Sequence, residues 1–577
     1  MLQTAQKEDV WQHPRAVFPS LSTRPQMDMI TSSFSVSFYI LGNKVCSSPG
    51  LDIYRCHTQC ACKKSLIEGR GLVPLHASYR VKIKYRREHI MSERIVIVGA
   101  SIAGLATALA LNRTGHDVIV LERDDSPPLD LSCDVFAHWQ RRGVPQLRHS
   151  HGFLACLRKT LRDHEPDLLV ALRKAGAREY TFRDSLPPSL AQSYRPRPGD
   201  DDLTSLFCRR STFEMVLYDY ACAKPGIDIR TGVQATGVLS KKTHTGLQLT
   251  GLTAKGHCQF EIAADVIIDA TGRSSPFLAW LRRLGAVIEE ESHDTGIVYY
   301  SRFYHLRPGC SEPSRTRYSS LGDLGYLKYG VFPADNGTFS LTLAVPTVET
   351  DLRILRHADA FTEVCKALPA LAPWIAPERA EPMTQVFQMG GLRDTYRCAV
   401  VNQQPATFGY FAVGESAVHT NPLYGRGCSL SVLHAYLLAD VLHREIDPAA
   451  RAMAYHHQTQ THLRPFYDVA VRRDQASQRH THAAIDKPTA LTWRQRLRRS
   501  MMLHGLAPAI RGDLEVRRAF VRDFHMLAPP GLALKRLNIA LRILRFWLRG
   551  AKRNQSLYAP PAGPKREDMR RILGLSA

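Results

Sequence analysis

Apolar residues change their spacing several times along the chain, and each change marks an element. The first 90 residues keep neither period 2 nor period 3.6 over any useful length. At Arg94-Ile-Val-Ile-Val98 the pattern becomes an unbroken apolar run, the mark of a strand buried on both faces. A glycine-rich turn, Gly99–Gly104, follows it. Apolar positions over Leu105–Arg113 then recur at helical spacing, and Asp117–Leu121 reads as a second strand. Beyond a Pro/Asp loop, Leu154, Leu157, Leu161 and Leu168–Leu172 predict helix. Short alternating runs from Val233 to Ile262 predict an antiparallel meander leading into a strand at Asp265–Asp269. A second antiparallel set spans Gly296–Leu306 and Tyr326–Pro346, with Asp335-Asn336-Gly337 as its hairpin turn. One more buried strand, Gly409–Val413, enters a glycine-rich turn and a long helix.

Parallel βαβ units that enclose an antiparallel set predict an α/β fold. Its parts are a Rossmann-type dinucleotide-binding domain, an inserted antiparallel-sheet substrate domain and a helical C-terminal region. The expected divisions are 1–90 for an N-terminal extension, 91–290 and 385–480 for the dinucleotide domain, 291–384 for the antiparallel domain, and 481–577 for the basic helical region. The extension is expected to be disordered or an over-long reading, with Met91 as the working start.

Composition changes this picture in two places. The net charge of +23 suggests nucleic acid until it is located. Residues 91–483 hold 43 Lys and Arg against 41 Asp and Glu, so the middle is nearly neutral and the basicity lies at the two ends. A nucleic-acid groove needs basic and aromatic residues clustered on a folded face, so no nucleic-acid partner is expected. The 13 Cys are odd in number and scattered, which suits a reducing, cytoplasmic setting. Cys56-His-Thr-Gln-Cys60-Ala-Cys62 lacks a second pair at zinc-finger spacing, and His149 with His151 lacks a third ligand, so no metal is expected. No apolar run reaches the length of a membrane span, and no secretory signal is expected.

Three glycine-bearing strand ends carry the candidate chemistry. In Ile95-Val-Ile-Val-Gly99-Ala-Ser101-Ile-Ala-Gly104, Gly99 turns the chain off the strand and Ser101 is small enough for a pyrophosphate to approach the backbone. Gly104 lets the helix pack close, its positive dipole end towards the phosphates. Glu122 ends the second strand, where a carboxylate can accept both hydroxyls of an unphosphorylated ribose, with Arg123 beside it. Val266-Ile-Ile-Asp269-Ala-Thr-Gly272-Arg273 puts backbone amides beside the same site. Gly414-Glu415-Ser, then Asn421-Pro422-Leu-Tyr-Gly425-Arg-Gly427, opens a helix whose N–H groups can hold a flavin pyrimidine edge or ribityl chain.

In this order the three motifs resemble the FAD-dependent monooxygenase superfamily, with its para-hydroxybenzoate hydroxylase-like fold. The string Arg141-Arg-Gly-Val-Pro-Gln146-Leu-Arg148-His149-Ser-His151, with Asp-Ala-Thr-Gly-Arg and Asn-Pro-Leu-Tyr-Gly-Arg-Gly, is similar to the bacterial polyether-type flavin-dependent epoxidase branch. The resemblance covers about residues 92–480. It implies that Gly99, Ser101, Gly104, Glu122 and Arg123 bind the ADP half of FAD, and that Arg210 opens a helix near the flavin. It further implies that Asp269, Gly272, Glu415, Pro422, Gly425 and Gly427 surround the rest of the cofactor. Ser101 replaces the family's middle glycine, and Glu415 its usual aspartate.

The expected function is that of an FAD-dependent monooxygenase. It would insert one oxygen from O₂, by epoxidation or hydroxylation, into an apolar polyketide- or isoprenoid-like molecule, with NAD(P)H as transient reductant. A flavin-dependent reductase or dehydrogenase of isoprenoid chains fits the same motifs. A flavin halogenase would need the family's Trp-x-Trp-x-Ile-Pro segment, which is absent. The cofactor does the hard chemistry, so no catalytic side chain is named. Loop 141–151 and the aromatic run Tyr299, Tyr300, Phe303 and Tyr304 are the expected cavity walls. Over residues 531–553, Leu534, Leu537, Leu541, Leu544 and Leu548 form a helical stripe beside Arg542, Arg545 and Arg549. The leucines are expected to pack on the body, with peripheral membrane contact as the alternative.

Overall fold

The computed structural model describes residues 93–128, 135–314, 316, 318–485 and 492–575. The 1–90 extension and its Cys56–Cys62 cluster lie outside the described residues.

Ile95–Val98 (β1) is apolar at every position, and every position is buried. Such a strand must be covered on both faces, and β1 is accordingly central. It pairs in parallel with Val118–Leu121 (β2) on one side. Ile227–Arg230 (β3) lies beyond β2. On the other side β1 pairs with Val266–Asp269 (β4), and Tyr410–Ala412 (β5) lies beyond that. The order is β5-β4-β1-β2-β3. Alternation then divides the core. Ile95 and Ile97 pack with Leu105 and Leu109 of helix Ile102–Arg113 (α1), Phe213 of Arg210–Cys222 (α2) and Leu438 of Gly427–Arg444 (α3). Val96 and Val98 face Leu249, Leu252 and Phe277 instead, beneath the meander Gln234–Thr243, Gly246–Lys255 and Gln259–Ala263. The result is three layers: helices, parallel sheet, meander.

The inserted sheet is antiparallel and centred on Ile297–Leu306, which pairs with Thr338–Pro346 and through it with Lys328–Pro333. Its hairpin turns at Asn336 and Gly337, with φ of 53° and 72°. The predicted turn also anchors the sheet. Asp335 is wholly buried and accepts hydrogen bonds from the Arg209 backbone N–H (2.6 Å), the Arg209 guanidinium (2.8 Å) and Thr212 Oγ1 (2.9 Å), at the start of α2. One loop thus ties the two sheets together.

The helical C-terminal region comprises Trp493–Ser500, a π-turn at Met501–Leu506, Ala507–Gly512, Leu514–Phe524 and Leu537–Arg553 (α4), the last interrupted at Gly550. Here the structure corrects the sequence. The stripe of α4 that packs inward is Ile539, Ile543 and Phe546, against Ala509, Val516 and Ala533 of its own region. Three of the five leucines face out, Leu537 75% exposed, Leu541 56% and Leu548 70%, while Leu544 is half-buried and Leu534 packs partly on the inner cluster. Both stripes have helical spacing, so periodicity could not choose between them. The branched and aromatic stripe is the one that fills the space above small alanines. Among the described residues, no helix is long and apolar enough to cross a membrane.

Candidate functional site

The three strand ends and the helices after them border one cavity of about 1390 Å³, larger than a pocket for a single small molecule. At one end lies the turn between β1 and α1. Gly99 has φ of 106°, and a Cβ on Gly104 would sit 1.7 Å from the Gly99 carbonyl oxygen, so only glycine lets the helix start this close. The first turn of α1 contains no acidic residue to compete for its N–H groups. Ser101, the departure from glycine, has its hydroxyl tied sideways. It donates to Glu214 Oε1 (2.8 Å) and accepts from Arg210 Nη2 (3.2 Å).

Ten of the twelve sequence-predicted residues line the cavity: Gly99, Ser101, Glu122, Arg123, Arg210, Gly272, Glu415, Pro422, Gly425 and Gly427. Gly104 and Asp269 stand behind it. The buried Asp269 carboxylate takes hydrogen bonds from the Thr271 N–H and from the hydroxyls of Ser416 and Tyr410. It is a positioning residue that locks the turn after β4 to the end of β5. Glu122 is more committed than the sequence implied. Its Oε2 accepts from the Ala100 N–H (2.8 Å) and Arg141 Nη2 (2.9 Å), and its Oε1 from the Asp124 N–H (3.0 Å). One lone pair on Oε1 is left for a ligand, where two ribose contacts were expected.

Arg141 is the centre that motif reading did not single out. Its guanidinium is buried and reaches Glu122, Asp124 and Glu214 at 2.9, 3.6 and 3.3 Å. Glu214 in turn holds Arg210 at 2.7 Å. Burial pulls the Arg210 pKa down, but the surrounding groups, Glu214 foremost and Glu415 with it, together raise it. Arg141 sat inside the string that carried the resemblance, and Glu214 lies one helical turn after Arg210. Their meeting across the fold had no sequence signal.

The 141–151 loop does line the cavity. Burial pushes His149 down to about 4, while burial and the Arg210 charge push His151 down to about 3. His151 Nδ1 donates to the His149 carbonyl (2.9 Å), so its Nε2 is the acceptor facing Arg210 (3.3 Å). Both rings are neutral. The far wall is corrected: of the expected aromatics only Tyr299 faces the cavity. Strand alternation sends Tyr300 and Tyr304 into the core with Phe339 and Leu341, and Phe303 packs on Phe136 at 4.7 Å between ring centroids. Phe520 and Phe524, on the C-terminal helix Leu514–Phe524, complete the lining without any motif to announce them.

Behind Tyr299 lies a polar network. The Tyr299 hydroxyl bonds Asn421 Oδ1, Asn421 Nδ2 donates to Asp474 (2.8 Å), and the Tyr424 hydroxyl donates to the same carboxylate (2.6 Å). Asp394 accepts from the Asn421 N–H (2.7 Å) through one oxygen, and its other oxygen is buried without a hydrogen-bond partner. Burial, then the charge of Asp474, pushes Asp394 up to about 8. Burial raises Asp474 as well, against the pull of its two donors.

Comparison with known proteins agrees with this architecture. The profile of the NAD(P)-binding Rossmann-like domain matches residues 97–160. Protein Rv3254 of Mycobacterium tuberculosis is 26% identical over 370 residues, spanning 59% of this chain and 71% of that protein. Two solved structures share the fold. A flavoprotein/dehydrogenase from Cytophaga hutchinsonii has a TM-score of 0.50 at 13% identity, over 80% of this chain and 99% of its own. The flavin-dependent halogenase CmlS has a TM-score of 0.50 at 16% identity, over 81% and 79%. The fold is a Rossmann-type nucleotide-binding domain with an inserted antiparallel sheet.

Proposed function

We propose that the chain is an FAD-dependent monooxygenase acting on a small apolar organic substrate. The parallel sheet and its cover hold the cofactor, and the antiparallel sheet holds the substrate. The observation that carries this reading is the convergence of two helix N-termini, α1 and α3, on one cavity that continues past Tyr299 between the two sheets. The residues fit FAD. Gly99 and Gly104 let the turn close tightly against its own backbone and that of Ala270, and α1 presents unopposed N–H groups to a pyrophosphate. The free lone pair of Glu122 takes one ribose hydroxyl, Arg123 stands at the same rim, and Glu415 with Gly425 and Gly427 borders the ribityl and ring end. With NAD(P)H as reductant and O₂ as co-substrate, FAD when bound supplies activation of oxygen and its transfer to an electron-rich carbon.

The chain's own work is to bind, orient and exclude water. The positive end of α3 stabilises negative charge at the pyrimidine end of the site. Neutral His149 and His151 add no charge to the chamber, and Phe520, Phe524 and Tyr299 keep it apolar. The Tyr299–Asn421–Asp474 chain fixes the Tyr299 ring in place. The test begins with the purified full chain, which should be yellow and release FAD, not FMN, on denaturation. After anaerobic reduction with NAD(P)H, O₂ should reoxidise it rapidly and, when ¹⁸O₂ is used, label the oxygenated product of an alkene substrate. Reoxidation only through an added acceptor, without label, would favour the reductase reading.

A further inference from the structure

The outward face of α4 is apolar along one stripe. Leu537, Leu541, Leu544 and Leu548 fall within one narrow arc of the helix, on the side opposite Ile539, Ile543 and Phe546. Three of these leucines are more than half exposed. Arg542, Arg545 and Arg549 run along one edge of the stripe; Arg542 also pairs with Asp513 at 2.8 Å, and Arg549 leans over the Phe546 ring. The segment packed under α4 repeats the combination. Ser500 accepts from the Trp547 indole at 3.0 Å, and around it Trp493, Leu497, Met502 and Leu503 are exposed among Arg494, Arg496, Arg498 and Arg499. From Phe524 to Arg566 the chain holds nine Lys and Arg and no Asp or Glu; from Thr492 to Gly512 it holds five and none.

We propose that this face seats the protein on the surface of an anionic phospholipid bilayer, with the leucine stripe at the level of the upper acyl chains and Arg545 and Arg549 at the headgroup phosphates. Soluble surfaces rarely expose a contiguous apolar stripe of this kind unless something covers it. The charge decides what covers it. A second copy of the chain would bring arginine against arginine, with only Asp513, already paired to Arg542, to offset them, whereas anionic lipid complements both the apolar arc and its basic edge. The helix lies on the membrane and does not enter it as a span, because no described helix is long and apolar enough to cross.

The full-length protein should sediment with phosphatidylcholine vesicles containing phosphatidylglycerol and stay in solution with phosphatidylcholine alone. Added salt should weaken the binding. R545Q/R549Q should weaken it roughly thirtyfold, the loss of two headgroup contacts. L541D/L548D should melt like the parent and remain in the supernatant, since neither leucine is part of the packed face. If that variant does not fold, R545Q/R549Q and the salt series still decide the matter. The proposal fails if the parent ignores phosphatidylglycerol vesicles, or if L541D/L548D binds them undiminished. It also fails if light scattering shows a dimer that L541D/L548D splits, which would assign the stripe to a second copy.

Discussion

Asp394 and Asp474 lie buried together one layer behind the cavity, and burial with the charge of Asp474 pushes Asp394 up to about 8. An isolated carboxyl loses its proton near pH 4 when the chain is unfolded. In the fold Asp394 keeps it to about 8. Between those values the native state binds a proton that the unfolded state does not, so stability falls as pH rises through this window. Asp394→Asn keeps the bond to the Asn421 N–H and offers an N–H to Asp474 in place of the acid proton. Its melting temperature should match the parent near pH 5 and exceed it at pH 8. A difference in melting temperature that stays constant from pH 5 to 8 would rule out the raised Asp394 pKa.

Glu122 and Glu415 should differ in weight. Glu122 accepts the Ala100 N–H of the nucleotide turn, the Asp124 N–H and Arg141, besides offering its last lone pair to the ligand. Glu415 has only Gln146 Nε2, at 3.5 Å. Hydrogen bonds to a charged group contribute about 1.5–3 kcal/mol each, so Glu122→Ala should weaken FAD binding by tenfold or more. Glu415→Ala should cost clearly less. Titration of apoprotein with FAD measures both, and equal losses would count against the ranking.

The inward stripe of α4 separates packing from surface. Ile543 is buried and touches the small residues beneath it, so Ile543→Ala should cost about 2–5 kcal/mol. Leu541→Ala, on the exposed stripe, should change stability by no more than about 0.5 kcal/mol. Chemical denaturation of the two variants makes the comparison, and similar losses would mean that the leucines are packed after all.

Removing residues 1–90 should leave flavin content and melting temperature close to those of the full chain. The first strand of the sheet, β1, begins at Ile95 and is already paired on both edges, by β2 and β4. A truncated protein that loses flavin or turns insoluble would make the segment part of the working fold.

Much of this protein is written locally. The unbroken apolar run of β1, the glycines at 99 and 104, and the strand ends at Asp269 and Gly414 each specify their conformation through neighbours a few residues away, where pattern reading works. Ten of twelve predicted site residues therefore meet at the cavity. Other features depend on residues that only folding brings together. Arg141 meets Glu214 because a buried charge must find a partner, whatever its distance along the chain, and Asp394 meets Asp474 only through the packing of elements far apart in sequence. Tyr300 and Tyr304 turn from the cavity because strand alternation assigns faces in pairs, and which face is the cavity depends on the layer opposite. In α4 two stripes had equal claim by spacing. Sequence determined that this helix is amphipathic on two sides; the alanines beneath Ile543 and Phe546 decided which side is core, because close packing rewards shape fit, and periodicity carries no information about shape.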